Sequence, residues 1–363
     1  MVRYKILIVS VFFVMFLLQS CVHGDLDDCP PMVSYAVAFQ YTDHTGREDR
    51  FYDDVKKIDL YVFDKNNLVY TTTTKLGLYD ENFNIPLDLP MGNYNIIAWG
   101  NALDNQPFSI TPDNFVKGET TFDEARLRLQ KTAGELNDTE LEKLFFGELR
   151  NVEIPLYVSR IDTVSLMNNT ERIRIVLHWD FTKAAGGQGF NHDSISVRLN
   201  GTNSLYRFDN ERVAANVKYA PFKKYFTDNL VDSINTYDKR DWLKINYYSN
   251  EFKEISKTTI YDFTVLRLFK DIPMNLVVEY VNRKSGIFHP IADVDIVSRN
   301  TGFEFLFTHR GIIESQWQRT FDINELYEVD MYIIFDGVNT FTTGDIQIKD
   351  WWKVEDENGA GAV

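Results

Sequence analysis

The amino-acid sequence predicts a mostly β protein, built as two tandem Greek-key β-sandwich domains with short helices in their loops. Apolar and polar residues alternate with a period of two through much of the chain, the spacing of a strand that buries one face. Turn-forming groups such as Asp64–Asn67 and Pro90/Gly92 punctuate those runs at short intervals. Helix signatures are sparse.

The N-terminus is read first because it decides where the protein resides. Arg3 and Lys5 precede an apolar run, Ile6–Leu18, interrupted only by Ser10. A spanning helix needs about 20 apolar residues, so this run has the dimensions of a secretory signal. It ends in "LQSC", which resembles a bacterial lipobox: Leu18, Ser20 and Cys21 fit, and Gln19 stands where a small or aliphatic residue is usual. Residues 1–20 are therefore expected to be removed, leaving Cys21 as an acylated N-terminus. Each buried CH₂ adds about 0.8 kcal/mol, so two or three acyl chains hold a protein on a membrane with no spanning segment. Residues 21–32 form a tether. Asp25, Asp27 and Asp28 in it resemble the surface-export signal of Bacteroides-type lipoproteins, and fit a solvated linker equally well.

Residues 33–168 are expected to form the first sandwich. "VSYAVAFQYT" from Val33 and "KKIDLYVFD" from Lys56 alternate as strands, and "NLVYTTTTK" completes a hairpin through the Asp64–Asn67 turn. In "LPMGNYNIIAWGN", Pro90 and Gly92 mark a tight turn with positive φ at Gly92. Tyr94, Ile96 and Ala98 then alternate inward, and the Tyr94 hydroxyl can bond at the sandwich edge. Such Pro-x-Gly-x-Tyr entries occur in transthyretin-like sandwiches. Thr121–Glu124 and Thr139–Glu142 read as capping boxes opening short helices over "ARLRLQ" and "LEKLFFGEL".

The domain join is placed in Ser165–Arg172, with the second sandwich over residues 169–363. In "RIRIVLHWDF", Ile173, Ile175, Leu177, Trp179 and Phe181 face a core, while Arg172, Arg174, His178 and Asp180 face water. Further strands are expected at Ser194–Leu199, Asn203–Phe208, Thr259–Phe269, Asn275–Asn282, Pro290–Ser298 and Glu328–Phe335, with a turn at Asn200-Gly201. Gly186–Phe190 is a flexible hairpin loop, and Tyr219–Trp242 an aromatic, charged insertion. The last strand carries Ile346, Ile348, Trp352 and Val354 in alternation before a loose polar tail.

Composition narrows the function. The 363 residues carry a formal charge of −15, and the signal segment contributes only positive charge. That balance opposes nucleic-acid binding and charge-driven attraction to anionic lipid. There are two cysteines; once Cys21 is acylated, Cys29 has no partner for an intramolecular disulfide. The histidines are scattered, and no HExxH, CxxC, GxSxG or P-loop pattern is present. Asp293 and Asp295 share one face of a strand with no third ligand type nearby, the pattern of a solvated face. No enzyme activity, cofactor or metal is expected.

The lipobox, a second "CP" at Cys29–Pro30, the "LPMGNYNIIAWGN" strand, the "LFFG" segment and "NNTERIRIVLHWD" come in an order that resembles the FimB-like fimbrial anchor lipoproteins of Bacteroides-type pili. The resemblance spans nearly the whole chain. It implies two transthyretin-like domains and a lipid on Cys21. It also implies an outer-membrane, surface-exposed position at the base of a pilus, with shaft subunits of that pilus as partners joined by strand exchange. Ile346, Ile348, Trp352 and Val354 would supply the exchange segment, or simply the last strand of the second domain. Arg47 and Arg50 follow the first strand, where related shaft subunits are cut at arginine; they also read as ordinary loop arginines. The other function class to weigh is a glycan-binding surface lipoprotein, with Trp351 and Trp352 stacking on sugars.

Overall fold

The computed structural model describes residues 34–42, 48–132, 134–155, 159–184, 190–227, 257–282, 286–300, 302–335 and 341–350, with the backbone alone for 342–350. Strands dominate. The first half runs β1 (Ser34–Tyr41), α1 (Phe51–Asp54), β2 (Ile58–Asp64), β3 (Asn67–Thr73), β4 (Asn84–Leu87), β5 (Gly92–Gly100), β6 (Phe108–Thr111), β7 (Arg126–Leu129), β8 (Leu136–Asn137), β9 (Phe145–Ile154) and β10 (Ser159–Asn168). The second half runs β11 (Thr170–Asp180), β12 (Ile195–Gly201), β13 (Leu205–Arg207), β14 (Arg212–Val213), β15 (Val217–Tyr219), β16 (Lys223–Thr227), β17 (Lys257–Leu266), β18 (Asn275–Asn282), β19 (Ile287–Asp295), α2 (Phe303–His309), α3 (Trp317–Ile323), β20 (Leu326–Phe335) and β21 (Phe341–Asp350).

Among the described residues, the first half forms a seven-stranded sheet ordered β3-β2-β5-β9-β10-β1-β4. Its strands are antiparallel except β1, which runs parallel to β10 from Ser34↔Ser159 to Tyr41↔Leu166. The sheet curls around its own core of Val37, Phe39, Leu60, Val62, Ile96 and Val164. The opposite faces of β2, β5 and β9 bury Tyr61, Phe63, Ile97, Trp99 and Phe146 in a second core shared with the C-terminal half. β2 is thus buried on both faces from Ile58 to Phe63.

Tyr94 is buried, and its hydroxyl donates to the Pro90 carbonyl at 2.8 Å, as its position in the sequence suggests. The expected positive φ at Gly92 is not observed; this residue opens β5 in extended conformation. Its glycine identity has a steric cause instead. A Cβ there would lie 3.0 Å from the Tyr94 hydroxyl and 3.1 Å from its ring, so the folded-back tyrosine needs the space.

Neither capping box starts a helix. Arg126–Leu129 is strand β7, with Leu127 and Leu129 buried, because the Arg-Leu-Arg-Leu alternation matches a pleat. Pairing with β6 on one side and β13 on the other outweighs the local cap. Residues 139–144 form no helix and lead, after a bend at 139, directly into β9. The helices lie elsewhere: α1 buries Phe51, and α2 and α3 bury Phe303, Phe307, Trp317 and Phe321.

Only Asn169 separates β10 from β11, so the chain leaves one sheet and enters the next within one residue. Asn169 is fully buried and exchanges amide hydrogen bonds with Asn210 at 2.6 and 3.0 Å. β11 lies at the centre of a five-stranded sheet ordered β16-β17-β11-β20-β21. The facing sheet is β19-β18-β12-β15-β8, whose β8 comes from the first half. A four-stranded sheet, β14-β13-β7-β6, also mixes the halves. The anticipated strands of the second half all occur, shifted by a few residues. Asn200 and Gly201 belong to β12 rather than to a turn; the chain bends at residues 202–204, and Gly201 lies against Met274. Of the Tyr219–Trp242 insertion, Tyr219 ends β15 and Lys223–Thr227 forms β16, while residues 228–242 lie outside the described residues, as does most of Gly186–Phe190.

Ile173, Ile175, Leu177, Trp179 and Phe181 are all buried. The opposite face departs from expectation toward the strand's end. Arg172 is exposed and Arg174 is half-buried, but His178 and Asp180 are buried. His178 satisfies its ring by a 2.6 Å contact from Nε2 to Asp330 Oδ1 and stacks on Tyr332. Burying a polar ring is tolerable because the neighbouring parallel strand supplies a carboxylate.

Candidate assembly site

A subunit that joins others by strand exchange is defined by two elements, its first strand and its open sheet edges. β1 pairs along its whole length with β10 and through Tyr35–Ala38 with β4. Tyr35, Val37, Phe39 and Tyr41 point into the first core, as period-two alternation requires. Phe39 stacks on Phe51 and Phe83. The Tyr35 hydroxyl donates to Asp162 at 2.9 Å, and Arg160 reaches the same carboxylate at 2.7 Å. Burial and the Asp162 carboxylate push the Tyr35 phenol well above its ordinary range, so it remains a donor.

The exit of β1 is fixed against the second half. Asp49 accepts from the amides of Tyr41 and Phe51 at 3.1 and 3.0 Å, and the Arg50 amide donates to the Tyr41 carbonyl at 2.7 Å. The Tyr41 hydroxyl donates to Glu325. Lys143 bridges Asp54 and Glu325 at 3.0 and 2.9 Å and sits over the Tyr41 ring. Arg50 pairs with Asp53 and Asp54, each at 3.3 Å. A recess of about 260 Å³ lies beside Tyr41, Met167 and Ile323. Both carboxylates on its wall are engaged, Glu325 as above and Asp322 by Arg267 at 2.7 and 2.9 Å. Sequence reasoning missed this network: Tyr41 and Glu325 are 284 positions apart, and no local pattern links them.

β21 is the outermost strand of its sheet and pairs antiparallel with β20. Ile346 lies opposite Met331 and Ile348 opposite Val329. Trp352 and Val354 lie outside the described residues, as do Cys21, Cys29, Arg47 and Trp351. Asp293 accepts from Asn275 at 3.0 Å. Asp295 accepts from the Met274 and Val297 amides at 3.1 and 3.0 Å, which tie the end of β19 to the start of β18. Among the described residues, no group of three or more His, Cys, Asp or Glu side chains is placed to hold a metal ion. No described helix is long and apolar enough to cross a membrane.

The fold is similar to that of several solved structures. The fimbrial anchor protein Mfa2 from Porphyromonas gingivalis superposes with a TM-score of 0.60 at 18% identity, covering 88% of this chain and 97% of that one. An adhesin candidate from Bacteroides thetaiotaomicron gives 0.62 at 20% identity, covering 89% and 98%. A protein from the same organism, described as a polysaccharide-binding candidate, gives 0.60 at 18% identity, covering 87% and 97%. At these identities the likeness establishes the fold. No curated protein matches the chain. A family model described as fimbrillin-A associated anchor proteins Mfa1 and Mfa2 matches residues 26–357. This chain belongs to that family of fimbrial anchor proteins.

Proposed function

We propose that this protein is the lipid-anchored base subunit of a fimbrium, a non-enzymatic part that holds the shaft on the outer membrane. The family match over residues 26–357 carries the reading. Acyl chains on Cys21 hold the base, and the chain folds as two transthyretin-like domains, residues 33–168 and 169–363. Strand exchange joins the next subunit: main-chain hydrogen bonds along an added strand give affinity, and alternate side chains give register. A base subunit must keep its own first strand, since losing it would sever the body from the lipid. The double pairing of β1 and its links to Glu325 and Asp162 support that requirement. The C-terminal segment 345–354 is the candidate joint, which the edge position of β21 supports, or it is simply the last strand of the second domain.

The test is pull-down with the shaft subunit of the same pilus as bait, alongside passage over a polysaccharide column. Capture by the shaft subunit is the expected result. Retention on polysaccharide without capture would replace this reading with a glycan-binding lipoprotein.

A further inference from the structure

β1 and β10 run parallel, so the end at which the chain enters one lies far from the end at which it leaves the other. Ser34, where the preceding chain joins β1, is beside Ser159, and Tyr41 is beside Leu166 near the last residue of β10. β10 ends at Asn168 and continues through Asn169 alone into β11, the central strand of its sheet in the second half. A pull on the chain before Ser34, opposed by the second half, therefore draws β1 and β10 in opposite directions along their common axis. The evenly spaced bonds of a parallel ladder lie across that pull. Eight registered residue pairs share it, so the bonds give way together rather than in turn.

Sliding is opposed by side chains as well. Tyr35, Val37, Phe39 and Tyr41 are buried, and a slip of one residue would turn them to the outer face. β4 holds Tyr35–Ala38 on the other side. The Tyr35 hydroxyl donates to Asp162 of β10 at 2.9 Å, at the end where the pull enters. At the other end the Tyr41 hydroxyl donates to Glu325, just ahead of β20. The second half is strung differently. Arg172 of β11 is beside Leu326 at the start of β20, and β21 returns antiparallel to place Asp350 beside Tyr327. A pull between Thr170 and Asp350 meets β11 and β21 at the same end of β20 and opens the sheet there one residue pair at a time.

We infer that the β1–β10 pair is a shear clamp, which carries tension between the N-terminal attachment and the rest of the protein and withstands more force than the C-terminal half. That the protein bears such tension rests on the base-subunit reading above; the order of strengths is a property of the chain itself.

The test stretches the chain from residue 21 to residue 363 between handles at its two ends in an optical trap. Cys21 and Cys29 are replaced by serine, and Ala38→Cys with Thr163→Cys adds a removable crosslink. Ala38 and Thr163 are register partners, half-buried and exposed respectively, and neighbouring strands lie within disulfide reach. Once oxidised, force passes from β1 directly to β10 and bypasses the rest of the first half. The highest-force event of the reduced protein should vanish on oxidation and return on reduction. Its persistence in the oxidised protein would overturn the clamp. At constant force, Tyr35→Phe should shorten the lifetime of that event by roughly tenfold, the loss of one hydrogen bond to a charged group. Tyr94→Phe, which loses a bond to Pro90 away from this pair, should leave the lifetime unchanged. Equal shortening by both variants, or none by Tyr35→Phe, would also overturn the clamp. The base-subunit reading survives either failure, because capture of the shaft subunit decides it; if that capture fails, the clamp stands as a property of the fold without its load.

Discussion

Replacing Trp179 with alanine tests whether β11 packs as a half-buried core strand. The Trp179 ring is fully buried, packs on Phe190 with centroids 4.7 Å apart, and donates from Nε1 to Thr259 Oγ1 at 3.0 Å. Burying a tryptophan removes roughly 150–250 Å² from water, worth about 4–6 kcal/mol at about 25 cal/mol per Å². Partial collapse of the site returns some of that, and measured Trp→Ala costs fall at about 3–5 kcal/mol. Thr259, itself buried, loses a partner, which places the variant toward the top of that range. Arg174→Ala is the matched control on the other face. Its guanidinium forks onto Asp262 at 2.7 and 3.2 Å but is about one-third exposed, so removal should cost under about 1 kcal/mol. Urea unfolding followed by far-ultraviolet circular dichroism gives both numbers. Equal, small losses would refute the packing argument for this strand.

Glu171→Gln should stabilise the protein at pH 8 more than at pH 4. Burial pushes the Glu171 carboxyl well above the usual carboxylate range, against the opposing pull of the Leu268 amide. The native state therefore holds a proton that the unfolded chain releases, and stability falls as pH rises from the ordinary carboxylate range. Glutamine mimics the protonated form, so thermal melts of both proteins across pH should diverge upward; a constant offset would contradict the argument. Tyr94→Phe should cost about 1 kcal/mol by urea titration, through loss of the bond to the Pro90 carbonyl. Deleting residues 343–363 should abolish shaft attachment while the protein stays in the membrane fraction. A stable, membrane-bound truncation that still retains pili would move the joint elsewhere.

Much of the strand content was legible because the residues that form it alternate with a period of two: β1, the β2–β3 hairpin, β5, β11 and β20 follow the pattern. Alternation identifies a face that is buried, but not whether the other face is also covered. Alternation therefore identifies the buried face of Ile173, Ile175, Leu177, Trp179 and Phe181, but points His178 and Asp180 to water although that face is covered too. The capping boxes misled for a related reason. A cap is a local preference worth about 1 kcal/mol, and β7 gains two strand partners, one of them nearly 80 residues away. The turn pattern marks Gly92 through a positive φ, whereas its glycine is required by contact with the folded-back Tyr94 ring, which leaves no trace in sequence. The crossing of β6, β7 and β8 into sheets of the second half was invisible, as was the Tyr41–Glu325–Lys143–Asp54 network. Both depend on long-range juxtaposition with no periodic trace.

The central claim, that lipid on Cys21 holds a fimbrium by its base, is tested most directly in piliated cells carrying Cys21→Ser. Shaft subunit should be quantified on the cells and in the medium, and shed filaments probed for this protein at one end. The account predicts that pili leave the cell with the variant attached to their ends. Pili retained on the cell at wild-type numbers, with the variant absent from the membrane fraction, would contradict it.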